Sequence, residues 1–479
     1  AIQAQKATEA AAQASEAENV AKAAQADAEK ALDAAEIAKA DALRQQALAE
    51  AAQKDALEQK ANAEQQTEIA TAAQAEAQVN LLAAEAAKAD ADRLRFQAIA
   101  QSMAIKSQKI KNNPEQQGNI ARQGFLFYDE YKNEGKEYNA DIYAGVYYAL
   151  RELTKDTTKV GEAQYHRNQY NGHTGAVRSV AYAKDGKTLY SAGSDGKILK
   201  WDMTDESRSF SVLYSTDVVN RVIDISNDER WLALGSENFE VFIYDLKAPD
   251  SEPKKVTGHA GAVFDMVFLP NSSGFIYTSG DGIIRKNDFV SSTQIAKVTA
   301  RVKTLTISPD GTRLAGGNEE GHIMLWDLTD GNHEKMLHRI KNTPISSIEF
   351  SKDGKLLAFG DQSGNITIWD LENSVRHAKL TGHQSDVTDL EFNKDDKLLA
   401  STSRDGTARL WIMEDLNELP IELDDHSKGQ ESERWVWSVS FSPDGQSLVT
   451  GAGDAKIRNW PVKPHTMADE ICNYVSENT

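Results

Sequence analysis

Only one cysteine, Cys472, stands among the 479 residues. It excludes an intrachain disulfide framework and a cysteine-rich metal site, and it reads as a small buried apolar residue on a C-terminal helix. Proline and glycine are missing before Pro114 and Gly118, so nothing breaks a helix over that whole stretch. No apolar run reaches the ~20 residues of a membrane helix, and no signal peptide is visible. Positive charge is scarce: 53 Lys and Arg face 73 Asp and Glu, a net charge of −20. Such a field repels nucleic acid and anionic membrane. No Gly-x-Ser-x-Gly, complete phosphate-binding loop or paired metal motif occurs; Gly186-Lys187-Thr188 matches the end of such a loop, but Ala181 stands where its first glycine is needed. The expectation is a protein that is not an enzyme and holds no cofactor or metal. The chain starts at Ala1, so a preceding segment, and any membrane link through it, stays open. The expected compartment is the cytoplasm, with a processed exported form as the alternative.

What is present divides into four parts. Residues 1–112 are about one-third alanine, with Glu, Gln, Lys and Asp for most of the rest, the composition of a long helix or coiled coil. As one helix they would extend on the order of 165 Å. The large apolar residues (Val20, Leu32, Ile37, Leu43, Leu48, Leu57, Ile69, Val79, Leu81, Leu82) fit no clean heptad. An alanine-lined seam giving a spacer or oligomerising rod competes with a single solvated helix held by pairs such as Glu18–Lys22. Residues 113–160 form a helical adaptor. Asn112-Asn113-Pro114 stops the rod, Ile120, Phe127 and Tyr131 recur at helical spacing, and a break follows at Gly135. Then Tyr138, Ile142, Val146, Leu150 and Leu153 repeat with period 3.6 behind a cap at Asn139-Ala140-Asp141. Its many tyrosines are expected to pack in core and interface with hydroxyls reaching solvent.

Residues 161–463 repeat. Gly382-His383, Ser401, Asp405-Gly406 and Trp411 recur as Gly172-His173, Ser191, Asp195-Gly196 and Trp201, with His and Trp about 28 residues apart in a period of about 43. A loop His, a strand Ser, a turn Asp and a strand Trp can form one buried hydrogen-bonded chain. Strands ending at Trp201, Tyr244, Asn287, Trp326, Trp369, Trp411 and Trp460 mark seven units, and Asp-Gly turns between alternating runs are hairpin signatures. The copies decay: Gly258-His259 and Asp281-Gly282 survive in the third without the Trp, and His426 is a candidate partner for Thr450, Asp454 and Trp460 in the seventh. His173, His259 and His383 occupy equivalent positions of different units, so they are structural residues, not ligands of one metal.

These units resemble the WD40 repeat family. The resemblance implies an all-β seven-bladed β-propeller, with His173, Ser191, Asp195, Trp201 and His383, Ser401, Asp405, Trp411 as structural tetrads. It also implies ring closure by a strand from the start of the propeller, here Gln164–Tyr170. The remaining residues, 464–479, form a tail that looks helical from 467 to 475. Family register maps a partner-facing rim to Arg178, Asn220, Phe264, Lys303, Ser346, Thr388 and Trp437, with Trp435 and, before their turn aspartates, Ser194 and Arg404. Two Trp, a Phe and basic residues in an acidic protein make a hot-spot composition. The acidic 418–434 loop reads as a mostly solvated insertion. The expected function is a scaffold whose propeller binds a protein partner. The alternative comes from domain order, which resembles the C-terminal regions of bacterial multidomain signalling proteins carrying an upstream STAND-type nucleotidase or caspase-like effector.

Overall fold

The structure is a computed structural model and describes residues 2–134, 136–154, 169–205, 207–331, 333–426 and 430–476. Gly135, most of the Gln164–Tyr170 segment and the adaptor–propeller boundary at 160–161 lie outside the described residues. The chain divides into two compact units, one up to Asp92 and one from Arg93.

The first unit belongs to helix α1 (Ile2–Lys109). Through Asp92 every described side chain is exposed, including Val20, Leu32, Leu48 and Leu82. At 100° per residue these apolar side chains fall on all sides of the helix rather than along one stripe.

In the second unit the last turns of α1 pack on two further helices, α2 (Pro114–Tyr131) and α3 (Ala140–Leu153). Both are capped by asparagine: Asn113 accepts from the Gln116 N–H at 3.0 Å and Asn139 from the Ile142 N–H at 3.2 Å, each satisfying an orphan donor of the first turn. Glycine sets how close the helices come. A Cβ on Gly145 would sit 2.8 Å from the Ala104 Cβ, and one on Gly124 would sit 3.0 Å from the Ala100 carbonyl oxygen. One apolar core runs from Ala100 and Ala104 through Tyr143 and Leu150 to Leu410, Trp460 and Ile471, the last on a C-terminal helix starting at Pro464. The adaptor tyrosines correct the expectation of solvated hydroxyls. Tyr143 donates to the Pro461 carbonyl at 2.7 Å, Tyr147 to Asp425 at 3.1 Å and Tyr148 to Asp424 at 3.0 Å.

The rest is a seven-bladed β-propeller of four-stranded antiparallel sheets. Each inner strand packs on the inner strands of its neighbours, and blade 7 (Val436–Phe441) meets blade 1 (Val177–Tyr182), so the ring is closed. Gln169–Asn171 supplies the outer strand of the last blade, with Tyr170 opposite Ile457. Closure hides the outer edge of that sheet. The inner edges are satisfied between blades by side chains reaching backbone N–H groups. Ser179 accepts from Ile223 at 3.2 Å, Asp265 from Leu305 at 2.8 Å, Asp389 from Val439 at 3.0 Å and Ser438 from Val180 at 3.2 Å. Two residues further along the inner strand, Asp224 accepts from Phe268 at 2.7 Å and Glu391 from Phe441 at 2.9 Å.

Among its described residues the 418–434 segment is solvated only in part: its first half is built into blade 6, while 430–433 is exposed. Ile421–Leu423 is the outer strand of blade 6, His426 is fully buried and Glu431–Arg434 is a short helix. A three-residue strand is too short for its alternation to stand out among acidic neighbours.

Candidate functional site

Two kinds of polar constellation stand out, and they do different work. The first is the tetrad. In blade 6 His383 Nδ1 is 2.9 Å from Asp405, His383 Nε2 is 2.8 Å from Ser401 Oγ, and Trp411 Nε1 donates to the same Oγ at 2.8 Å. Blade 1 repeats the chain through His173, Asp195, Ser191 and Trp201, at 2.9, 2.8 and 2.8 Å. Burial holds the His383 imidazole below its ordinary range against the pull of Asp405. Burial alone would raise Asp195, yet hydrogen bonds from His173 and the Thr174 N–H bring it down to about 2. The direction of donation is therefore Trp N–H to Ser, Ser O–H to His, His N–H to Asp, with every member satisfied. Ser, His and Asp at these distances also describe a nucleophilic triad. Ser191 and Ser401 are fully buried, however, and the indole N–H occupies the oxygen that would attack.

Blade 7 assembles a variant. His426 Nε2 is 2.7 Å from Thr450 and Trp460 donates to Thr450 at 2.9 Å, while Arg458 contacts His426 and pairs with Asp454 at 2.8 Å. Burial presses His426 down to about 4. Blade 3 has no such chain. Tyr277 takes the serine position and Asn287 the tryptophan position; Asp281 pairs instead with Arg285 at 2.7 Å, and His259 packs edge-on against Tyr277. Among the described residues no group of three or more His, Cys, Asp or Glu is arranged to hold a metal ion.

The second constellation lies at one mouth of the channel. In every blade the pairing of the first two strands shifts by one residue at the second position of the inner strand. A bulge of this kind re-aims its side chain out of the regular pleat. The seven bulge residues are Arg178, Arg221, Phe264, Lys303, Ser346, Thr388 and Trp437, and all seven line a cavity of about 470 Å3. This corrects one mapped position. Asn220 is one residue out of register: it is fully buried at a site where other blades carry Val or Ile, and Arg221 takes its place at the mouth. The one-residue slip has a large effect because neighbouring strand positions face opposite ways.

Around the mouth, cations lie on aromatic faces. The Arg178 guanidinium is 4.0 Å from the Trp437 ring centroid, and that of Arg404 is 4.9 Å from Trp435 and 5.1 Å from Trp437. Opposite, Lys303 Nζ is 3.6 Å from the Phe264 centroid. Ser194 accepts from Arg178 Nε at 2.9 Å, and Arg404 pairs with Asp386 at 3.2 Å. Trp435 stands edge-on to Trp437, 5.5 Å between centroids, and is not among the lining side chains. Deeper in the channel Asp265 and Asp389 are each pushed up to about 7 by burial, despite the backbone N–H bonds that pull them down. Nothing in the local pattern marks these acids or Arg221, because the bulge that turns Arg221 to the mouth exists only in the paired strands.

A closed ring of seven four-stranded blades, carrying Gly-His, Asp-Gly and Trp at fixed register, defines a WD-repeat β-propeller. The chain belongs to the family described as nucleolar protein 10-like, N-terminal domain, whose model matches residues 173–420. A model for the WD domain, G-beta repeat, matches residues 421–461. Periodic tryptophan protein 2 of Arabidopsis thaliana is 25% identical over 168 residues, 34% of this chain and 18% of that protein. The serine-threonine kinase receptor-associated protein of Mus musculus is 24% identical over 142 residues, 29% of this chain and 40% of that protein. Apoptotic protease-activating factor 1 of Rattus norvegicus is 26% identical over 170 residues, 35% of this chain and 13% of that protein. The chain thus matches less than half the length of each of these relatives.

Proposed function

We propose that the chain is a non-enzymatic interaction scaffold whose propeller takes a protein partner at the channel mouth, with residues 1–112 as a spacer carrying it. The observation that carries this is the convergence of Arg178, Arg404, Phe264, Lys303 and Trp437 on one open cavity, with Trp435 behind. Aromatic and arginine side chains gathered at the centre of a surface are the composition of binding hot spots. The relatives support it in kind, since the mouse protein is named for association with a receptor. On this reading 113–160 is an adaptor, 161–463 the binding module and 464–479 a tail that braces the adaptor. The rod is proposed as a spacer rather than a coiled-coil seam because its apolar side chains face all ways.

A second reading is favoured by one observation. The rat relative is named for activating a protease, and this chain matches only 13% of it. The propeller would then be the sensory C-terminal module of a larger signalling protein, and the mouth would still be its contact surface.

The test is capture and crosslinking with the full chain and with the Trp437→Ala, Arg404→Ala double variant, checked for folding by circular dichroism. A protein held by the first and lost by the folded second supports the rim. The same proteins held equally by both would sink it.

A further inference from the structure

Four cations line the cavity, and they are not equally committed. Arg221 pairs with Glu237 at 3.3 Å, Lys303 with Glu319 at 4.0 Å and Arg404 with Asp386 at 3.2 Å. Among the described residues Arg178 has no carboxylate within 4.0 Å. Its Nε is spent on Ser194 and its face lies on Trp437, which pins the guanidinium but leaves the two terminal nitrogens without an acceptor. Burial, reinforced by the neighbouring Arg221 and Arg404, presses on its charge against the opposing pull of Glu237. Two further buried donors nearby, Trp437 Nε1 and Arg404 Nε, also have no acceptor. A half-buried cation without a counterion is unfavourable, and unpaired donors beside it add to the deficit. Among the described residues, the terminal nitrogens of Arg178 are thus the cationic donors of this wall left open to an acceptor from outside.

On the rim reading above, we infer that the mouth recognises a carboxylate carried on an extended peptide segment, held by the terminal nitrogens of Arg178, with an adjoining apolar side chain against Trp437 and Phe264. A planar carboxylate matches the fork of a fixed guanidinium. A monoanion fits better than a phosphate dianion. Only one cation lacks a carboxylate partner, and Asp386 and Glu319 line the same cavity and would repel a second negative charge. The carboxylate belongs to an Asp or Glu side chain or to a chain terminus; the chemistry is shared.

The experiment is selection of displayed random peptides on the immobilised full chain, with parallel selections on Trp437→Ala and Arg178→Gln. Fluorescence anisotropy then follows with the selected peptide, its twin with the acidic residue changed to the amide, a C-terminally amidated twin and a phosphoserine twin. Selected peptides should share an acidic residue or need a free terminus, and the two neutralised twins separate those sources. Removing the charge should weaken binding by about tenfold or more. Arg178→Gln should weaken the acidic peptide equally and leave the neutral twin unchanged; Arg178→Lys, which keeps charge without the fork, should fall between. Peptides that depend on Trp437 but not on any carboxylate, or that bind better as phosphoserine, overturn the inference and leave the rim reading standing. If no selected peptide depends on Trp437, both fall.

Discussion

A buried polar residue in this propeller stabilises or strains the fold according to whether its partners are complete. Ser401 takes one hydrogen bond and gives another, so Ser401→Ala leaves both His383 Nε2 and Trp411 Nε1 unpaired. The expected loss is about 2–4 kcal/mol, read as a lower urea midpoint, and an unchanged midpoint would show that the tetrad contributes nothing net. The channel carboxylates behave oppositely. Asp224 is pushed up to about 6 and Asp265, Asp389 and Glu391 to about 7, in each case chiefly by burial. Unfolded, they release their protons near their ordinary values. The folded state therefore binds more protons between the two, and their contribution to stability, full below about pH 4, is lost as pH rises through about 7. Asp195, held at about 2, contributes above its unfolded value and loses that contribution only in strong acid. Thermal melting should fall between about pH 4 and about pH 7, and Asp389→Asn, which mimics the protonated side chain, should flatten that fall. A profile equally steep in the variant would remove Asp389 from the account.

Among the elements, α3 does the most to join the parts of the second unit. One face meets the end of α1 at Gly145 and Ala104. The other sends Tyr147 onto the Trp460 ring and, with Arg151, onto Asp425, the residue before the tetrad member His426. The helix therefore braces the blade that closes the ring. Gly145→Val has no room to be accommodated beside the Ala104 backbone, so it should destabilise by about 1–3 kcal/mol as an overpacked contact, measured by denaturant unfolding. An unperturbed midpoint would mean that α1 and α3 can slide apart freely. The period of α3 and its cap at Asn139 were readable from local residues. The destinations of its tyrosine hydroxyls were not, because Asp424 and Asp425 lie far along the chain and only the fold brings them near.

On the scale of the molecule, the helix up to Asp92 offers no apolar stripe to a second copy. Sedimentation of the full chain at micromolar concentration should give a monomer, and a concentration-dependent dimer would restore the alanine-seam reading. The amino-acid order determined by itself that there are seven units, that two of them carry complete His–Ser–Asp–Trp chains, and that a long unbroken helix precedes them. Each of these is written in residues within one repeat or one helical turn of each other, where spacing and turn chemistry decide. The tertiary structure alone decided which side chains share the channel mouth. Arg178 meets Trp437 because blade 1 sits against blade 7, and Arg221 rather than Asn220 faces the cavity because a bulge shifts the strand by one residue. Closure could be expected from the repeat family, but which side chains it brings together, and where a bulge falls, leave no local trace, since both arise from how whole blades twist and pack around a common axis.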